Sequence, residues 1–480
     1  MSYNHGITLV ENPTSFDQPL ESLSAVQVVF GTAPINLAET QLVNEPVLVR
    51  TFEEAKRKLG YSDNWDDYTL CQSMYASFKE LKVAPLVFVN VLDPEKHKTS
   101  VTDVELNVIN KEAKLVTEGV LLNTLLVKSS DGATIYNKDQ DYFAAFNSKG
   151  EIFIAFLTDG VSSIKVSYEK LDPSAVTNSD LIGGYDAETY TYTGIESLTT
   201  IYPRLNVVPT ILLAPGFSHH EEVGAVLVAK SQKINGSFNA TNVLDVEGIT
   251  KEEATENKAN LFYEDKTSIV CWPKAKLRGK TYWYSAIVGA TLARTDAEND
   301  DVPYKSPSNK RVPISAMVNT IGQEIFLDQI QANTLNAKGI FTALNMNGWR
   351  TWGNNTAAYD ADEPGVMDPK DRFIAVRRMF DWWGNSFIVA YFDRVDEPTN
   401  YRLIESIVDS ENIRANGFQA RGQIAGAKIE FRRENNPTSQ ILDGKIQFIQ
   451  KIGFLTPAEE IINVLEFDPN ILSDSLFGGE

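Results

Sequence analysis

From residue 25 onward, short and almost unbroken apolar runs alternate with stretches of helical spacing. Residues 25–31 (AVQVVFG), 46–50 (PVLVR) and 84–92 (APLVFVNVL) read as buried strands, with helices over 52–59 and 68–81 between them. A strand apolar on both sides has no solvent face, so this rhythm predicts a parallel sheet covered by helices on both faces. The pattern resumes with a strand at 209–214 (PTILLA) and a helix from 221 to 234, then a strand near 243–246 and a helix through 252–261. A strand at 268–272 and a helix over 284–297 follow. Between residues 94 and 173 the period changes to two, in VELNVI, VLLNTLLV, EIFIAFL and SIKVSY. Turn pairs at Asp131-Gly132, Lys149-Gly150 and Asp159-Gly160 separate these runs. They predict an all-β sandwich or barrel inserted into one α/β domain through an exposed loop.

The C-terminal fifth has its own pattern. Asp368-Pro369 supplies a capping oxygen and a residue suited to the first helical position, and Asp371 stands near the spacing of a reciprocal cap. Phe373, Ile374, Val376, Met379, Phe380, Trp383, Phe387 and Ile388 give the helix one broad apolar face. A second helix starts near Pro398, turns Leu403, Ile404, Ile407 and Val408 inward, and stops around Asn416-Gly417. The period then becomes two. Ala427, Ile429 and Phe431 share one side, Ile446, Phe448, Ile452 and Phe454 another, and Ile461, Asn463, Leu465 and Phe467 form a third run. Two helices on a small sheet make a compact α+β module. At the other end, Ile7 and Leu9 alternate with Thr8 and Val10 before Pro13 and Pro19 stop regular structure. A lone strand does not hold itself in water, so this arm either pairs within its own molecule or is lent to another chain. The breaker-rich stretch 296–311 reads as a surface connection.

Length and composition narrow the class. With 480 residues, about three domains are expected. The net charge of −20 disfavours nucleic acid as a partner and makes identical copies repel. Two cysteines, Cys71 and Cys271, form no disulfide framework and fit a reducing cytosol. MSYNHGITLVENPT lacks a signal-peptide pattern, and no apolar run is long enough for a membrane span.

Catalytic chemistry finds little support. His219 and His220 sit where a base could, after a strand and before a helix, but no nucleophile-elbow string accompanies them. His219-His220-Glu221-Glu222 lacks the i, i+4 spacing of helical metal ligands. Glu221 and Glu222 are explained by a helix N-terminus. Gly279-Lys280-Thr281 imitates the end of a phosphate loop, but Lys274 stands where the first glycine belongs. Trp382-Trp383, beside Phe380 and Phe387, is core rather than a ligand platform. No catalytic residue, metal or cofactor is assigned. Arg372, Arg377 and Arg378 form a basic cluster in an acidic chain, either an ordinary solvated helix face or a face for an acidic partner.

The strings DRFIAVRRMFDWWGNSF, IESIVDSENIR and FRRENNPT, with the order of elements around them, resemble the C-terminal domain of contractile-tail sheath proteins. PTILLAPGFS, KSPSNK and GWRTWGNNT carry the resemblance, more weakly, over most of the chain, and the insertion is its least recognisable part. The resemblance implies a multidomain α/β plus α+β protein. Its subtilisin-like α/β sheath domain (25–93 and 191–352) is interrupted by a β-sandwich-like outer domain (94–190). An arm (1–24), a linker (353–367), a C-terminal domain (368–467) and a tail (468–480) complete it. It further implies a non-enzymatic subunit that polymerises as stacked hexameric rings around a tail tube and contracts to drive the tube through a target envelope. Partners would be other copies, the tube protein, and baseplate and terminator proteins, with assembly in the bacterial cytoplasm into a phage or phage-tail-like particle. Arms from neighbours would complete the small C-terminal sheet, which makes Ile7, Leu9, Ile446, Phe448, Ile461 and Leu465 the expected strand-exchange residues. Arg372, Arg377 and Arg378 become candidates to face the tube. The alternative is a cytosolic α/β hydrolase-like enzyme with an inserted β domain. A cell-surface adhesin would need the secretion signal and repeats that the sequence lacks.

Overall fold

In the computed structural model, which describes residues 20–147, 149–363, 365 and 367–477, eight strands form the central sheet. Their order is Trp349–Trp352, Ile340–Asn345, Ser268–Cys271, Thr241–Asp245, Ile211–Leu213, Gln27–Gly31, Leu86–Asn90 and Pro46–Val49. The inner six are parallel, and the outermost strand on each side is antiparallel. The wholly parallel sheet expected from the apolar runs is therefore mixed at its edges. Pro46 has no N–H to give a ladder and suits an edge. Trp349–Trp352 folds back as a hairpin through Asn347 and Gly348, both at positive φ.

Alternate residues of the inner strands feed two cores. Val28, Leu212, Leu244 and Val270 pack on one face, and Val29, Leu213, Val243 and Ile269 on the other. Helix Tyr284–Ala297 lies against the second face and is buried on nearly all sides, as its lack of a polar stripe requires. Gly289 permits the close approach, since a Cβ there would stand 2.9 Å from both Gln27 Oε1 and Leu213 Cδ1.

Residues 98–171 form two sheets around a separate core. One contains Lys98–Asn107, Ser163–Leu171, Leu126–Ser129 and Ile135–Tyr136; the other contains Tyr142–Phe146, Ile152–Phe156 and Glu112–Leu115. Val127, Tyr142, Ile154, Phe156, Ile164 and Val166 fill the space between them. The two chain crossings to the body lie side by side, with Asp172 N donating to His97 O at 2.9 Å. Asp93 N donates to His97 Nδ1 at 3.0 Å.

In the C-terminal region the single helix expected from Asp368 breaks at Phe373, which is extended, into Pro369–Arg372 and Ile374–Tyr391. Asp368 caps through Lys370 N. Asp371 does not close a reciprocal cap; its Oδ1 stands 3.2 Å from Lys266 and 3.6 Å from Arg377. Trp383 is buried with Met379, Ala415 and Ile424, whereas Phe380, expected on the buried face, is half-exposed. The second helix, Tyr401–Ala420, runs past Gly417 and ends before Gly422 at φ +69°. A hairpin of Gly426–Phe431 and Phe448–Gly453 follows. Ile446 lies ahead of the second strand. The third strand expected from Ile461 to Phe467 does not form; residues 454–468 have no regular structure and lead into helix Pro469–Phe477. No other strand of the described residues pairs with this stretch, so its alternation has no ladder to join.

Candidate functional site

Local geometry accounts for the side chains that could have suggested an enzyme. His219 lies flat on Trp283, with ring centroids 4.5 Å apart and 11° between planes. Burial, followed by the nearby His220 and Lys274, pushes its pKa down to about 3. Lys274 Nζ sits 3.7 Å from the same indole centroid. Ser285 is fully buried and donates its hydroxyl to Asp245, which also accepts from Ser285 N at 2.9 Å. Burial raises the Asp245 pKa to about 6, against the pull of those hydrogen bonds. A carboxylate taking an amide from the first turn of helix Tyr284–Ala297 is a cap supplied from the sheet, stabilised by the helix dipole. Gly279 and Arg278 form the positive-φ turn of the hairpin Lys274–Leu277/Lys280–Tyr282, the ordinary conformation for a two-residue loop rather than a phosphate cradle. Among the described residues no group of three or more His, Cys, Asp or Glu is arranged to hold a metal ion.

The basic cluster is corrected by the packing. Arg377 makes a two-pronged pair with Asp381, at 2.6 and 3.0 Å, in the buried part of its helix. Arg378 makes another with Asp296, at 2.5 and 3.1 Å, and Asp296 is fully buried. Neither guanidinium is presented to an outside partner. A carboxylate one turn along the same helix holds Arg377 and one on a facing helix holds Arg378, because a buried charge needs a bonded counter-charge. Arg372 remains near the surface, bound to Asn355 and to Glu459 in the irregular stretch 454–468.

The strand-exchange residues fall into three groups. Ile7 and Leu9 lie outside the described residues. Phe448 is half-buried and pairs with Phe431 across the hairpin, with ring centroids 5.6 Å apart; Ile446 is also partly buried. Ile461 and Leu465 are each 87% exposed, and Ile462, Val464 and Phe467 are exposed as well. A run this apolar with no cover is the kind of surface that marks an interaction site. It leaves the body next to a hairpin whose outer edges pair with no other strand among the described residues.

Two features escaped sequence reasoning. Asp296 reads as part of a charged surface connection, yet it is fully buried. Asp301 holds the chain at its other end, accepting from Ser22 Oγ, Leu23 N and Ser24 N at 2.7–3.0 Å. The only signal was a run of hydroxyls and acids with no distance information.

This architecture, a two-core α/β sheet with a pendant sandwich and a small C-terminal module, is the fold of contractile-injection sheaths. A chain of the anti-feeding prophage baseplate superposes with a TM-score of 0.59 at 14% identity, covering 98% of this chain and 100% of that one. The sheath complex of an extracellular contractile injection system in its contracted state gives 0.57 at 14%, covering 98% and 99%. No model of a known protein family matches the chain. In sequence the chain is similar to tail sheath proteins: that of Burkholderia phage BcepMu is 26% identical over 99% of this chain and 98% of its own.

Proposed function

We propose that this chain is the structural subunit of a contractile sheath, polymerising as stacked hexameric rings around a tail tube and contracting to drive the tube through a target envelope. The body, 25–93 and 191–352, would have the subtilisin-like arrangement of the family. Residues 94–190 would be its outer domain, 353–367 a linker and 368–467 the module that exchanges strands. Other copies, the tube, baseplate and terminator proteins would be its partners, and assembly would occur in the bacterial cytoplasm. No bond-breaking chemistry is required.

The observation that carries this reading is the uncovered apolar run from Ile461 to Phe467 beside an open two-stranded sheet. Added to the corresponding sheet of a neighbour, that run would form four to six backbone hydrogen bonds worth ~0.5–1.5 kcal/mol net each. Burying Ile461 and Leu465 would contribute ~1.5–3 kcal/mol apiece. A connection of that strength survives while the larger bodies slide, and the N-terminal segment with Ile7 and Leu9 would make the second connection. Extended sheaths would persist through a barrier to contraction rather than by lowest free energy.

The test replaces Ile461 and Leu465 together by Asp. The variant should melt within about 1 °C of the parent, because those side chains touch little of their own molecule, and it should form no tubes by negative-stain microscopy. Tubes of normal length from this variant would overturn the strand-lending role.

A further inference from the structure

The root of the N-terminal segment is fastened more firmly than a chain end requires. Leu20–Glu21 pairs in parallel with Val83–Ala84, and Leu20 N and Ser22 N donate to Lys82 O and Ala84 O, each at 2.8 Å. From the other side, both carboxylate oxygens of Asp301 are used. Oδ1 accepts from Ser22 Oγ at 2.7 Å and Ser24 N at 3.0 Å, and Oδ2 accepts from Leu23 N at 3.0 Å. Ser24 Oγ continues inward to Asp296 Oδ2 at 3.0 Å. That same oxygen accepts Arg378 Nη2 from helix Ile374–Tyr391 at 2.5 Å. Asp300, beside Asp301, accepts Gln423 Nε2 from the turn after helix Tyr401–Ala420 at 3.1 Å.

The loop supplying these acids is held in an uncommon conformation. Asp300 and Asp301 are consecutive non-glycine residues at φ +60° and +59°. Side chains resist that region, so the surrounding contacts must hold it. Asp301 N donates to Asp296 O at 3.0 Å, which locks the loop onto the end of helix Tyr284–Ala297. One carboxylate oxygen is therefore shared between the point where the N-terminal segment meets the body and a helix of the C-terminal module. Ser24, Asp296 and Arg378 are buried, so water does not compete for the bonds that join them, whereas the Asp301 contacts lie nearer the surface.

We infer that Asp296 and Asp301 are positioning residues that fix how the N-terminal segment leaves the body and couple that exit to the orientation of the C-terminal module. The inference rests on the strand-lending reading and adds to it a mechanical link. A module that turns relative to the body pulls on Asp296 through Arg378 and, through Ser24, on the outgoing strand. The arm given to one neighbour and the module that receives an arm from another then move together. Each subunit passes on a change of geometry instead of absorbing it.

The experiment measures amide hydrogen exchange in residues 20–26 of the full chain, together with tube formation. Asp301→Ala should speed exchange at Leu23 and Ser24 by about tenfold or more and lower tube yield, leaving Leu86–Asn90 protected. Arg378→Gln should speed exchange in the same segment even though it lies in the C-terminal module, and Arg378→Lys should restore part of the protection. A purely structural role for Arg378 would loosen helix Ile374–Tyr391 and leave residues 22–24 unchanged, which would overturn the coupling. Unchanged tube yield from Asp301→Ala despite faster exchange would overturn the positioning role. Deleting residues 1–19 separates the two ideas: tubes from that truncation sink strand lending itself, while loss of tubes there with normal exchange in the Asp301 and Arg378 variants sinks only the clamp.

Discussion

Asp245 and His219 respond to acid in opposite senses because burial acts on opposite charges. The Asp245 carboxyl titrates near 6 when folded against 3.8 as its ordinary value. Between those values the native state keeps a proton that the unfolded chain has lost, so this group removes stability as pH rises. The His219 imidazole stays neutral down to about 3 when folded, against 6.5 otherwise, so its contribution is lost as pH falls below 6.5. Asp245→Asn should lessen the decline between pH 4 and 7, and His219→Phe, which keeps a ring on Trp283, should lessen the loss below pH 6.5. The full differences should be on the order of 3 kcal/mol for Asp245 and up to about 5 kcal/mol for His219, read from urea midpoints at several pH values. The sequence placed His219 between a strand and a helix, offered no nucleophile-elbow string beside it, and gave Asp245 no signal beyond its place in an apolar strand. It could not pair Arg378 with Asp296, because the two stand on different helices and charge alone does not say which way an arginine points. The same blindness made 296–311 look like plain surface.

At the level of elements, hydrophobic period was a reliable guide and glycine an ambiguous one. The inner strands, the β-rich insertion and the two long C-terminal helices were all legible, because each buries a face and the burial imposes its repeat on the residues. Gly417 was misleading. It lies inside helix Tyr401–Ala420 with only the Arg421 side chain near its missing Cβ, and the left-handed stop is Gly422 at φ +69°. The two glycines should therefore answer alanine in opposite directions. Gly417→Ala should stabilise the module by ~0.5–1 kcal/mol by removing backbone freedom. Gly422→Ala should destabilise it by about 1–2 kcal/mol, since nothing but the positive φ opposes the new Cβ; thermal melts of the two variants side by side give the comparison. The run from Ile461 to Phe467 has a strand's alternation and no strand. Its pattern was legible, but no strand among the described residues pairs with it, and no property of the sequence says whose sheet a strand joins.

Considered whole, the molecule is an acidic body with apolar chain exposed at its C-terminal end. At a net charge of −20, copies repel, and salt shortens that repulsion to ~10 Å at 0.1 M. If apolar strand addition drives assembly, tube elongation followed by light scattering should quicken as NaCl rises from about 20 to 300 mM. Slower elongation would mean that ion pairs between copies dominate instead. The pendant sandwich has a separate consequence. Its chain enters and leaves through neighbouring points, tied by the bond from Asp172 N to His97 O, and its core is its own. That lobe could therefore be exchanged for another while the central sheet keeps every one of its hydrogen bonds.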